Sequence, residues 1–379
     1  MNLDFSDDQK LLKDQLRRFL ADRCPPATVR AVLEGPAPFD RPLYQGLAEL
    51  GVLGAAVPEA YGGLGLGRLE LCILAEELGR ALAPVPVSSS IYLAAEFLLA
   101  AGSEAQKSAW LPKLVSAEAV GTFALAERAG RVTPKAIQCR VEGGRLRGVK
   151  VPVADGEAAD LAVVAARTEP GDGAGGVSLF LVDLGSSGVK REAVDNIDPS
   201  RKQAKITFDG VAAEPLGAAG EGWEIVRKVI DRAAVLMAFE QVGGADRALE
   251  MGRDYALDRM AFGRQIGSFQ GIKHMLADMY VSATLARSNA YYGAWALAAE
   301  AAELPVAAAT ARVSATQAFQ HCAKNNIQVH GGMGFTWAFD CHLYYRRSNA
   351  LALALGSLSE WEDRLVEQLR RQNAAPAAA

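Results

Sequence analysis

The chain has 379 residues, half of them hydrophobic, with 40 basic and 44 acidic side chains and a net charge of -4. That length exceeds the roughly 250–300 residues at which a single hydrophobic core stops growing, so two or three domains are expected. The mild acidity gives no electrostatic basis for nucleic-acid or acidic-lipid binding, and no uncharged apolar run reaches the ~18 residues that a membrane span needs.

The amino-terminal sequence MNLDFSDDQK is acidic and lacks a basic segment ahead of an apolar one. It does not read as a secretory signal, and a cytoplasmic location is expected. Cys24, Cys72, Cys139, Cys322 and Cys341 are scattered without a CxxC pair. That pattern predicts reduced thiols, with neither a disulfide framework nor a zinc site.

Residues 1–120 read as a helical domain. Phe5-Ser6-Asp7-Asp8 supplies an N-cap and first-turn acids ahead of an apolar stripe at Leu11, Leu12, Leu16 and Phe19. Leu69–Leu82 and Glu104–Val115 repeat the helical pattern around the glycine-dense loop Pro58–Gly67. That loop lacks a preceding strand and a following Lys-Ser/Thr, so it is read as a structural turn and not as a phosphate loop.

The period changes over 121–221. Ile137–Val153 alternates, and Leu161–Ala166, Val177–Val182 and Ala204–Phe208 are short β-branched runs. Turn chemistry at Gly143-Gly144, Gly171–Gly176, Ser186–Gly188 and Asp209-Gly210 separates them. The spacing predicts an antiparallel β barrel or sandwich as a middle domain. From 222 to 379 helices return, over Trp223–Asp258, Phe269–Ala302, Pro305–His330 and Tyr344–Gln372, and their lengths predict a four-helix bundle. The fold class is therefore α+β and mainly α.

Two segments carry the chemistry. In Tyr255–Gln270 a helix breaks at Gly263, with Arg259 suited to a pyrophosphate and Phe262 suited to stacking on a flat ring. An ordinary helix–helix connection with a surface arginine is the alternative. In Gln328–Phe335 the pair Gly331-Gly332 follows a long helix, where bare backbone can approach a ligand or merely end the helix. His330 and His342 have no carboxylate or thiolate spacing beside them and are read as packing or surface residues.

Taken together, PEAYGGLGLG, DRMAFGRQIGSFQ and QVHGGMGF, in that order around a β segment, resemble the acyl-CoA dehydrogenase family over essentially the whole chain. The resemblance implies FAD, a homo- or hetero-tetramer, an acyl-CoA substrate and an electron-transferring flavoprotein as acceptor. It also implies αβ-desaturation, with a carboxylate removing the Cα proton and the flavin taking hydride. By position, Arg259, Phe262, Gln270, Gln328, Gly331 and Gly332 match the family residues that reach across an interface to a neighbouring subunit's FAD.

The residues that hold a subunit's own flavin do not match. The family's Thr-Glu-Pro-x-x-Gly-Ser-Asp block is Ala126–Val132 here, and its Trp-Ile-Thr-Asn block falls in Val151–Asp155. The family's two alternative base positions fall on Leu355 and Ala233. Glu240, two turns beyond Ala233 on nearly the same helix face, is the candidate base. A buried polar contact is its alternative reading. Asp231, Glu127 and Asp340 are weaker candidates for the same role. Two functions follow: an active dehydrogenase with a relocated base, or a non-catalytic subunit that completes a partner's FAD site in a heteromeric enzyme. Some bacterial family members of that heteromeric kind act on sterol or bile-acid thioesters.

Overall fold

The computed structural model describes residues 5–374. In chain order the first helices are α1 (Asp7–Arg23), α2 (Pro26–Glu34), α3 (Arg41–Glu49), α4 (Arg68–Ala81), α5 (Val87–Ser89), α6 (Glu96–Ala101) and α7 (Glu104–Val115). After the strands come α8 (Gly222–Asp258), α9 (Gln270–Ala298), α10 (Leu304–His330), α11 (Cys341–Leu353) and α12 (Leu358–Ala374). None of the described helices is long and apolar enough to cross a membrane.

The chain forms two compact units that do not follow chain order. One joins residues up to Val29, Arg68–Ala83 and the chain from Ala234 onward; the other joins Arg30–Gly67 to Pro84–Ala233. The first 120 residues are thus divided between the two.

In the first unit, α1 starts at the expected N-cap. Gln9 N donates to Ser6 Oγ at 3.2 Å and Ser6 N donates to Gln9 Oε1 at 3.0 Å, a reciprocal capping box. The buried stripe is Leu16 and Leu20, whereas Leu11 is 68% exposed. The apolar face is therefore narrower than Leu11–Phe19 suggests, because the flanking turns present cations to α4. Lys13 Nζ meets Glu76 at 2.7 Å and Arg17 pairs bidentately with Glu77 at 2.7 and 2.9 Å. Glu76 also accepts from Arg287 of α9 at 2.7 Å, so this buried carboxylate faces two cations.

Helices α4 and α8 meet backbone to backbone. A Cβ on Gly79 would lie 1.8 Å from the Glu240 carbonyl oxygen, and one on Gly243 would lie 1.9 Å from that of Glu76. Each helix carries Glu-x-x-Gly (Glu76–Gly79 and Glu240–Gly243), and each glycine receives the other helix's glutamate carbonyl.

The expected single helix over Tyr344–Gln372 is two helices. Leu355 and Gly356 turn the chain at φ 61° and 108°, and Ser357 with Glu360 then builds a new capping box, Ser357 N donating to Glu360 Oε2 at 2.7 Å. The α11 carbonyls exposed by the break are satisfied by a buried arginine: Arg312 Nη2 donates to Leu351 O and to Ala354 O.

In the second unit the strands are β1 (Gly121–Ala124), β2 (Arg140–Glu142), β3 (Arg145–Ala154), β4 (Leu161–Arg167), β5 (Val177–Asp183), β6 (Val189–Val194), β7 (Gln203–Ala212) and β8 (Glu214–Leu216). Their order is β6-β7-β3-β2-β4-β5-β8, with β1 also paired to β4. Most neighbours are antiparallel, as alternation predicts, but β1 runs parallel to β4 from Gly121↔Leu161 to Ala124↔Val164. β4 is buried along its whole length, which explains the unbroken apolar run Leu161–Ala166 ahead of the buried Arg167. Asp209-Gly210 is not a turn. Arg147 pairs with Asp209 and Leu146 with Val211, so Gly210, at φ 68°, is the extra residue of a β-bulge inside β7.

Candidate functional site

The site lies in the first unit, where α8 ends and α10 ends. After Asp258 the chain makes a two-stranded hairpin, Met260–Ala261 against Arg264–Gln265. Its turn residues Phe262 and Gly263 both have positive φ, 53° and 75°, the geometry of a tight primed hairpin turn. This holds Phe262 at the tip, 95% exposed, with its ring edge-on to Phe269 at 6.1 Å. The next helix starts at Gln270, one residue after the expected Phe269.

Behind the hairpin, Arg259, Tyr255, Ile266, His330, Gly331 and Gly332 line an open pocket of about 350 Å³. Ile266 N donates to Arg259 O at 2.9 Å, which ties the hairpin's exit to its entrance. Gly331 ends α10 at φ 60°, and a Cβ at Gly331 or Gly332 would meet nothing within 4 Å. The pair faces open space instead of packing, so a ligand can approach the backbone directly.

Three of the six cofactor candidates, Arg259, Gly331 and Gly332, therefore share one pocket across more than seventy residues of sequence. Phe262 stands on the adjoining hairpin tip, and Gln270 and Gln328 are exposed on the first turn of α9 and the last turn of α10. Tyr255, given no role by the sequence, and His330, read there as a packing or surface residue, also line the pocket. Their rings stack at 4.1 Å with a 22° tilt, and Phe339 packs edge-on to Tyr255 at 6.0 Å.

Glu240 lies elsewhere. It is 2% exposed on α8, with its carboxylate 3.7 Å from the Arg347 guanidinium, itself 1% exposed. Arg312 is a second buried cation close enough to feel Glu240: burial pushes its guanidinium down to about 9, and the Glu240 charge opposes the shift. Arg312 also donates to Gln241 Oε1, which accepts from Thr316 as well. The carboxylate thus balances two enclosed guanidiniums and is not among the pocket-lining residues. Ala233 is fully buried, and Leu355 sits in the α11–α12 turn.

Residues 6–118 match the family described as acyl-CoA dehydrogenase, N-terminal domain, and residues 220–361 match acyl-CoA dehydrogenase, C-terminal domain. Acyl-CoA dehydrogenase IpdE2 of Mycobacterium tuberculosis is 31% identical over 366 residues, spanning 96% of this chain and 98% of that protein. The chain belongs to the acyl-CoA dehydrogenase family. Butyryl-CoA dehydrogenase from Megasphaera elsdenii shares the fold at TM-score 0.91 and 25% identity, covering 98% of this chain and 100% of that one. The ChsE4-ChsE5 complex from Mycobacterium tuberculosis contains a chain that matches at TM-score 0.88 and 28% identity, with 100% of both chains covered.

The Ala126–Val132 and Val151–Asp155 segments lie in the second unit. Ala126, Pro152 and Ala154 offer no side-chain hydroxyl. The polar groups nearby are already engaged. Lys150, fully buried, donates to Leu125 O at 2.9 Å and to Glu127 at 2.8 Å. Glu127 accepts in addition from the backbone N–H groups of Gln138 and Cys139, at 2.8 and 2.9 Å. Thr122 Oγ1 donates to Ala154 O at 2.6 Å. Glu127 is therefore a structural acceptor, occupied on both oxygens.

Proposed function

We propose that this chain is a subunit of an FAD-dependent acyl-CoA dehydrogenase that desaturates an acyl-CoA thioester at Cα–Cβ and passes electrons to an electron-transferring flavoprotein. Its own part is to complete the FAD site of a neighbouring subunit in a tetramer, not to supply the base. The observation that carries this reading is the solvent-facing pocket of Arg259, Gly331 and Gly332 beside the exposed Phe262.

The residues of that pocket fit one end of FAD by chemistry. Arg259 is a cation suited to a diphosphate, the two glycines leave backbone bare, and Phe262 offers an uncovered aromatic face. Gln270 and Gln328 add exposed amides that donate and accept. FAD, when bound, supplies the hydride acceptor. The residues at the other half of the family's flavin site fit poorly, since Ala126, Pro152 and Ala154 lack the hydroxyl donors and the aromatic wall. The loss of several hydrogen bonds of about 0.5–1.5 kcal/mol each supports a chain that does not retain a flavin of its own.

The base positions agree with that role. Leu355 and Ala233 cannot take a proton, and the Glu240 carboxylate is held by Arg347. The alternative, a homomeric dehydrogenase with Glu240 as base, rests on Glu240 lying two turns from Ala233. In this proposal residues 1–120, 121–221 and 222–379 remain the helical, β and bundle domains. The ChsE4-ChsE5 match supports assembly with a second family member.

Arg259→Ala tests the reading. Flavin content of the assembled oligomer should fall at least tenfold, since an arginine–phosphate pair is charge-assisted and bidentate, while the melting temperature of the isolated chain should be unchanged. Full flavin content in the variant would remove the pocket from the FAD site.

A further inference from the structure

His330 is not among the residues that the family resemblance carries to the flavin, and the sequence reads it as a packing or surface residue. Its surroundings specify more. The ring is 6% exposed and lines the Arg259 pocket. Tyr255 covers one face by stacking. Nδ1 lies 2.8 Å from Asn326 O, the carbonyl one helical turn back. A carbonyl only accepts, so Nδ1 carries the proton. Burial pushes the imidazolium down from its ordinary range, which keeps the ring neutral near pH 7. In that tautomer Nε2 is a lone-pair acceptor. It has no hydrogen-bond partner among the described residues, and it is not among the atoms sealed from the surface.

A ring fixed by Asn326 and Tyr255, with one acceptor left over at the wall of a pocket, is preorganised for a donor. Arg259 already supplies the cation for a phosphate in the same pocket. A ligand with a diphosphate plus hydroxyl or amino donors, as in a nucleotide, uses both. We propose that His330 Nε2 accepts a hydrogen bond from a hydroxyl or amino group of the dinucleotide received by this pocket, next to the diphosphate that Arg259 meets. The proposal rests on the half-site reading above and adds to it a residue that fixes the orientation of the dinucleotide.

The test titrates FAD into the flavin-stripped assembled oligomer and follows flavin fluorescence, for the parent chain and for Arg259→Ala, His330→Phe and His330→Gln. His330→Phe keeps a stacking ring without the acceptor, and affinity should fall roughly tenfold, the loss of one buried hydrogen bond. His330→Gln keeps an acceptor near the Nε2 position and should stay within about threefold of the parent. If Arg259→Ala weakens binding but His330→Phe does not, the acceptor role is wrong and the pocket reading stands. Equal losses in His330→Phe and His330→Gln would also overturn the acceptor role. If Arg259→Ala has no effect either, the pocket reading itself fails. Should His330→Phe not fold, the parent protein labelled with 15N-histidine decides the matter. The unprotonated Nε2 resonance should move on adding FAD, and an unmoved resonance under saturating FAD would overturn the proposal.

Discussion

Gly243→Ala should destabilise the helical unit by about 3 kcal/mol, at the upper end of what overpacking a core costs. The added methyl would lie 1.9 Å from the Glu76 carbonyl oxygen and 3.0 Å from the Arg80 backbone nitrogen. Both obstacles are helix backbone, so no rotamer change relieves the clash, and α4 must move away from α8 by more than an ångström. Gly79→Ala should act in the same way from the other helix, against the Glu240 carbonyl oxygen at 1.8 Å. Because the two glycines serve one crossing, the double variant should lose clearly less than the sum of the single losses. Gly252→Ala on the same α8 is the control. Its new Cβ would have only ordinary contacts from 3.5 Å outward, and replacing a mid-helix glycine gains about 1 kcal/mol of helix propensity. Chemical denaturation of the four variants checks the ordering. Equal stabilities for Gly243→Ala and Gly252→Ala would contradict the backbone contact.

Glu240→Gln should be the second large effect, and it separates the two readings of that residue. As counter-ion, the carboxylate faces Arg347 at 3.7 Å and acts on the buried Arg312, both about 1% exposed. A neutral amide there leaves two guanidiniums enclosed without that charge, and breaking a buried pair from one side costs about 3–5 kcal/mol. The expected result is a fall in melting temperature on the order of 10 °C. As a base, the same substitution would abolish turnover in a homomeric enzyme with little loss of stability. A stable, inactive Glu240→Gln protein would restore Glu240 as the base.

The sequence is legible where local chemistry decides. Ser6 with Gln9 fixes the start of α1, and Glu104–Val115 is a helix over the expected range because Ser103 and Gln106 cap it in the same reciprocal manner. It is less legible where tertiary contacts decide. Leu11 has the spacing of a core residue but faces outward, because α1 meets α4 through lysine and arginine as much as through leucine. Asp209-Gly210 carries turn residues that the β3–β7 pairing absorbs as a bulge.

The α11–α12 break had a signal that periodicity overrode: Gly356 followed by Ser357-x-x-Glu360 is a helix stop and a capping box. Of the site, spacing alone marks Arg259 and Gly331 as separate weak motifs, and only the family resemblance joins them. That they share a pocket depends on how α8 and α10 end, which no local pattern records. The role of Glu240 depends on Arg347 and Arg312, more than seventy residues further along the chain.

The most direct measurement is the flavin content of the purified chain, alone and after co-assembly with a second family member that retains the hydroxyls and the base. The chain alone should carry no FAD. The assembly should carry one FAD for each pair of unlike chains, lost when Arg259 is replaced. One FAD per chain in the protein purified alone would contradict the half-site role, because the segment around Ala126, Pro152 and Ala154 would then be holding a flavin without the donors it lacks.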